Sequence, residues 1–206
     1  MTFAEYIRSF ADAWWRITLL GEPALLIPVA IIIVVWLWGS CSKRAALLWG
    51  SLLALGGTLL VVQKLLYYIT GAALGSIKLY TISGHSTTST YIYGSLVIIL
   101  AHSWPRPVRR IAGVLTMCLV LAIAVSRVAV AGHRVAEAIA GLLIGMALLF
   151  VFLRYVWRKE NSRYPVWTLA LPCALSMMLT YGHVIEFERI FRMVGRWARP
   201  DAVFYK

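Results

Sequence analysis

Apolar and polar residues fall along this chain in long blocks rather than in the short periods of a soluble fold. Apolar stretches run at roughly 23–39, 45–63, 88–104, 108–125, 134–153 and 165–182. Each approaches the roughly 20 apolar residues a helix needs to cross a hydrocarbon core. The pattern predicts an all-α integral membrane protein of about six transmembrane helices. Ahead of them, residues 1–20 interleave Phe3, Tyr6, Ile7, Phe10, Trp14 and Trp15 with Glu5, Arg8, Asp12 and Arg16. That mixture predicts an N-terminal amphipathic interfacial helix rather than a span. Residues 183–206 read as a basic amphipathic tail, so 1–206 is expected to be one membrane domain with its core at 23–182.

Composition agrees. Of 206 residues, 61% are hydrophobic and 14% charged, against about 25% charged in soluble domains. A net charge of +12 would suggest nucleic acid in a soluble protein. Here the basic residues sit in short runs between apolar stretches, the pattern of loops against anionic headgroups, so membrane lipids and no nucleic acid are expected as partners. Cys41, Cys118 and Cys173 lack metal-ligand spacing and read as packing residues. The N-terminus lacks the pattern of a cleaved signal peptide.

The connections set the topology. Lys43, Arg44, Arg106, Arg109, Arg110, Arg154, Arg158, Lys159 and Arg163 fall in three alternate loops, whereas the two opposite loops hold Lys64, Lys78, Arg127 and Arg134. The positive-inside rule puts the first set in the cytoplasm and the second outside. The basic tail, with Arg189, Arg192, Arg196 and Arg199, lies on the outer side and argues the other way.

Both outer loops are rich in polar groups, which are costly near a bilayer and are there for function by default. One carries Ser83-Gly84-His85-Ser86-Thr87-Thr88; the other carries Ser126-Arg127, His133 and Glu137. His133 and Glu137 are four apart and share a helix face. Glu137 is the only acidic residue within a predicted span. A bond from the His133 ring N–H would give it a partner and fix the imidazole tautomer, leaving the other nitrogen as a nucleophile. The same pair also fits a structural hydrogen bond or, with His85, the ligands of a divalent metal. Arg127 suits phosphate oxygens, Gly84 allows close approach to an anion, and the start of the third span adds a helix N-terminus. With Lys64, the set fits in-line attack on phosphorus.

These residues resemble the membrane branch of the type-2 phosphatidic acid phosphatases, whose soluble relatives include vanadium haloperoxidases. That family's pattern is Lys followed seven residues later by Arg-Pro; then Pro-Ser-Gly-His; then Ser-Arg, five residues, His, three residues, Asp. Ser83-Gly84-His85 matches the second part and Ser126-Arg127…His133…Glu137 the third. The resemblance implies His133 as nucleophile, Glu137 as its orienting partner and His85 as general acid. It implies that Lys64, Ser83, Gly84 and Arg127 hold the phosphate, with no metal and no cofactor. Three positions depart: Gly71 stands where the first Arg is expected, Ile82 replaces Pro and Glu137 replaces Asp. The lost Arg removes a charge-assisted contact worth about 1.5–3 kcal/mol, and Lys78 is the candidate replacement.

The expected activity is hydrolysis of a lipid phosphate or pyrophosphate through a phosphohistidine, at the periplasmic face of a bacterial inner membrane. Undecaprenyl pyrophosphate, phosphatidylglycerophosphate, phosphatidic acid and a lipid A phosphate are the candidate substrates that the resemblance suggests. The alternatives are a lipid phosphotransferase using the same intermediate and a non-catalytic lipid-binding or transport protein on a decayed scaffold.

Overall fold

The computed structural model describes residues 3–71, 79–155 and 164–199, with backbone alone for 3–10 and 155. The described elements are helices: α1 (Phe3–Leu19), α2 (Pro23–Ser40), α3 (Lys43–Thr70), α4 (Gly84–Leu100), α5 (Arg106–Ala129), α6 (Val135–Tyr155), α7 (Trp167–Thr180) and α8 (Phe187–Ala198). Helices α2–α7 correspond to the six apolar stretches, and the chain is an all-α membrane protein. Among the described residues, Ala11–Ser40, Lys43–Thr70, Arg106–Ala129 and Val135–Arg154 are long and apolar enough to cross a membrane. At 17 and 14 residues, α4 and α7 are shorter.

The molecule is turned outward in its hydrophobicity. Ile31, Val35, Leu55, Leu115, Phe150 and Met178 are exposed on α2, α3, α5, α6 and α7. Water would penalise so much contiguous apolar surface, and lipid does not.

The helix richest in hydroxyl side chains, α4, is the one hidden from lipid, packed by α2, α3, α5, α6 and α7. Its hydroxyls bond back to carbonyls one turn earlier: Thr87 to Ser83 at 3.0 Å, Thr88 to Gly84 at 2.8 Å, Thr90 to Ser86 at 2.6 Å and Ser95 to Tyr91 at 2.6 Å. Each polar group is thereby satisfied inside its own helix, so a central position costs little. Close approach to α6 depends on Gly141 and Gly145. A Cβ at Gly141 would lie 2.5 Å from the Ser83 carbonyl oxygen, and one at Gly145 would lie 2.6 Å from that of Thr87. Small residues four apart let two membrane helices touch along their backbones.

Two boundaries differ from the hydropathy pattern. The third span, expected at 88–104, runs from Gly84 to Leu100. Its first turn is built of hydroxyl residues whose helical hydrogen bonding a hydropathy average does not register. The second, expected to stop at 63, continues to Thr70 and ends at Gly71, whose φ of 72° is the left-handed conformation that glycine adopts without strain. Lys64 therefore lies inside α3 rather than at its end, and His85 lies in the first turn of α4 rather than in a loop.

Candidate active site

One end of the bundle gathers the starts of α2, α4 and α6 with the ends of α3, α5 and α7. The third motif is built from contacts local in sequence. After α5, the turn at 130–134 folds back so that the Arg127 carbonyl accepts bonds from Gly132 N at 2.9 Å and His133 N at 3.0 Å. A Cβ at Gly132 would come 2.6 Å from Arg127 Nη2, so this position leaves room for the guanidinium alone. His133 then faces Glu137 across one helical turn, Nδ1 to Oε2, at 2.9 Å, both side chains buried.

Glu137 is far from isolated. Its Oε2 also accepts from Arg134 N at 3.2 Å, while Oε1 accepts from Tyr80 N at 3.2 Å and Thr81 N at 3.0 Å. Three backbone donors and one imidazole hold it as a carboxylate, which offsets the cost of burial. Its backbone carbonyl accepts from Ser83 N at 3.2 Å, joining the second motif to the third. From α3, Gln63 clamps the same segment: Nε2 donates to the Tyr80 carbonyl at 2.5 Å, and Oε1 accepts from Ile82 N at 2.9 Å.

The second motif opens α4. Ser83 is its N-cap, fully buried, with the hydroxyl accepting from Ser86 N at 3.3 Å and Ser86 Oγ at 3.0 Å. Its oxygen is thus turned into the helix start. Gly84 is the first helical residue, among the donors that a helix leaves unsatisfied. His85 turns the other way, its Nε2 lying 2.9 Å from Glu22 Oε1, with both side chains largely buried. Glu22 stands at the N-cap of α2, positioned by the α1–α2 turn. That turn is held by Tyr93 OH donating to the Leu20 carbonyl at 2.7 Å and by the Thr18–Ser126 hydroxyl pair at 2.7 Å. A Cβ at Gly21 would lie 3.1 Å from His85 Cδ2 and 2.8 Å from Ile123 Cγ2, so glycine sets how near Glu22 comes.

The cations complete the cluster. Arg127 Nε is buried and has no hydrogen-bond partner among the described residues, leaving a donor to spare. Lys64 pairs with Glu188 of α8. The charges sense one another: His133 feels Lys64 and Arg127, His85 feels Arg127 and His133, and Arg127 feels Glu22 and Glu188. Burial lowers the His133 pKa below its ordinary 6.5, and the two cations add to the effect against the opposing bond to Glu137. The lowered pKa favours the neutral ring, and a carboxylate at Nδ1 favours the tautomer with its proton there and a lone pair on Nε2.

The residues read from the sequence thus assemble in one place, except that Lys78 lies outside the described residues. Gly71, where the family's Arg is expected, combines a left-handed φ with an Arg199 guanidinium lying where a Cβ would have to stand. An arginine side chain at 71 would meet both obstacles. Glu22, Gln63 and Glu188 had escaped the sequence reading. An acidic residue opening the first span, and an acidic residue on the polar tail at the same membrane side, were the available signals. Among the described residues, no group of three or more His, Cys, Asp or Glu side chains converges to hold a metal ion. His85 and His133 form two separate acid–imidazole pairs, with Glu22 and Glu137.

Comparison with known proteins points the same way. Residues 73–161 match the PAP2 superfamily. The chain is also similar to an uncharacterized 22.5 kDa protein in the cps region of Klebsiella pneumoniae, 26% identical over 141 residues, 68% of each chain. No solved structure matches it significantly.

Proposed function

Because residues 73–161 are a PAP2 superfamily domain, the phosphatase family whose motifs the chain carries, we propose that this protein is a membrane lipid phosphatase working through a phosphohistidine. The observation that carries the reading is the buried His133 held by Glu137 beside an Arg127 Nε that has no partner among the described residues.

The substrate's terminal phosphate enters between Arg127, Lys64 and the first-turn N–H groups of α4. His133 Nε2 attacks phosphorus, the N–P bond forms and the P–O bond to the lipid breaks in line. Glu137 stabilises the imidazolium-like charge that develops on His133. The arriving phosphate's negative charge favours a proton on His85, which keeps its Nε2 proton on Glu22 and gives the one on Nδ1 to the departing oxygen. A water then attacks phosphorus, its proton passes to His85, the N–P bond breaks and inorganic phosphate leaves. The lipid tail stays in the bilayer throughout, since the site sits at the end of the bundle. The positive-inside pattern supports an outer, periplasmic face, and the substrate class is a lipid phosphomonoester or pyrophosphate: undecaprenyl pyrophosphate, phosphatidylglycerophosphate, phosphatidic acid or a lipid A phosphate.

The test is phosphate release by the purified protein from those four lipids, with EDTA present and His133→Ala beside the wild type. Release that persists in EDTA and vanishes in the variant supports the reading and ranks the substrates. Release abolished by EDTA returns the histidines to a metal. Labelled phosphate moving to a second lipid instead of water makes the protein a transferase, and no turnover with any lipid favours the non-catalytic alternative.

A further inference from the structure

Helix α8 brings an acid into the anion site. Glu188 Oε2 pairs with Lys64 Nζ, and Oε1 accepts from Tyr68 OH at 2.5 Å. One turn on, Phe191 lies 5.6 Å from Lys64 Nζ and stacks at 6.5 Å on Tyr68. Helix α8 is thus docked on α3 by two side chains that straddle one lysine. The carboxylate also lies within Coulomb range of His133 and Arg127.

We propose that Glu188 stands in the resting site where an oxygen of the substrate's phosphate will stand, so that α8 is a cover displaced by the incoming phosphate. The proposal rests on the phosphatase reading above and adds a charge threshold to it. The Glu188 side chain is 41% exposed and that of Lys64 11%, so Glu188 is the partner able to swing into water. A dianionic terminal phosphate outcompetes a single carboxylate for Lys64 and Arg127. A monoanionic phosphodiester headgroup, such as those of the surrounding phospholipids, brings no more charge than Glu188 and gains little by exchange. Glu188 therefore keeps the weakly bound diesters that crowd the bilayer out of the site, whereas phosphomonoester and pyrophosphate ends bind strongly enough to displace it. The face of α8 away from the site carries Ile190, Met193 and Trp197 exposed, apolar anchors that keep the helix at the membrane surface when it lifts.

The experiment compares the full chain with Glu188→Gln, which keeps the acceptor for Tyr68 and loses only the charge. Orthovanadate and dimethyl phosphate are titrated calorimetrically in detergent, with Arg127→Ala as reference. The expected result is vanadate and dimethyl phosphate each binding about tenfold tighter in Glu188→Gln, since each must displace the acid, and α8 amides of the wild type exchanging faster when vanadate is bound. Equal or weaker vanadate binding in Glu188→Gln overturns the proposal, because the acid would then serve to hold Lys64 in place. So does unchanged or slower exchange in α8. If wild type binds vanadate and Arg127→Ala does not, the phosphatase reading survives that failure. If no variant binds it, both fall.

Discussion

The two histidine pairs sit at one end of the same bundle and were built by opposite means. His133 and Glu137 lie four residues apart on one helix and meet because the helix repeat makes them meet. His85 and Glu22 lie 63 residues apart, and they meet only because the α1–α2 turn is pinned to α4 and α5 and because Gly21 lets it approach. The first pair is local and self-assembling, and the second is an outcome of tertiary packing. In the proposed mechanism the same division separates bond making at phosphorus from proton delivery to the leaving group.

Substitutions can break that comparison. The largest effect is expected at the local pair: His133→Ala should lower kcat by about 10⁴-fold or more, whatever the leaving group, because the bond-forming atom is gone. Glu137→Gln should cost about 10²–10⁴-fold, as the wrong tautomer and a weaker acceptor replace the carboxylate. Steady-state rates on one lipid phosphate check both.

Across the other pair, Glu22→Gln should slow release from a lipid alcohol by about 10- to 100-fold. It should slow an aryl phosphate, whose leaving group needs little protonation, far less. A leaving-group series for Glu22→Gln and His85→Ala sharpens the contrast; equal losses on all substrates would merge the two roles.

A smaller effect concerns pH. Since burial and two cations lower the His133 pKa below 6.5, its neutral form persists as pH falls through the ordinary histidine range and is lost only when pH passes the lowered value. The acid limb of kcat/KM should therefore lie below 6.5, and Lys64→Ala, removing one of those cations, should move it upward.

How much was legible follows from the same distinction. Blocks of apolar residues revealed the six core helices, because lipid-facing surface is written directly in composition. The start of α4 was not legible, since Ser83 to Thr88 look like a loop until the hydroxyls of Thr87 and Thr88 are seen bonded to carbonyls of their own helix. Within the site, fixed spacing made Ser126-Arg127, His133 and Glu137 stand out. Gln63, Glu22 and Glu188 carry no local pattern, and their places depend on which helix lies beside which. The Ser83 hydroxyl shows the converse: its motif was visible, but its engagement with Ser86 was not.

The central claim is a covalent phosphate on His133, and trapping it is the most direct measurement. Rapid acid-free quenching of a single turnover with labelled lipid phosphate should leave an acid-labile, base-stable label on the wild-type chain, absent from His133→Ala. Phosphate release continuing in His133→Ala, or a completed turnover with no label at any quench time, would contradict the account.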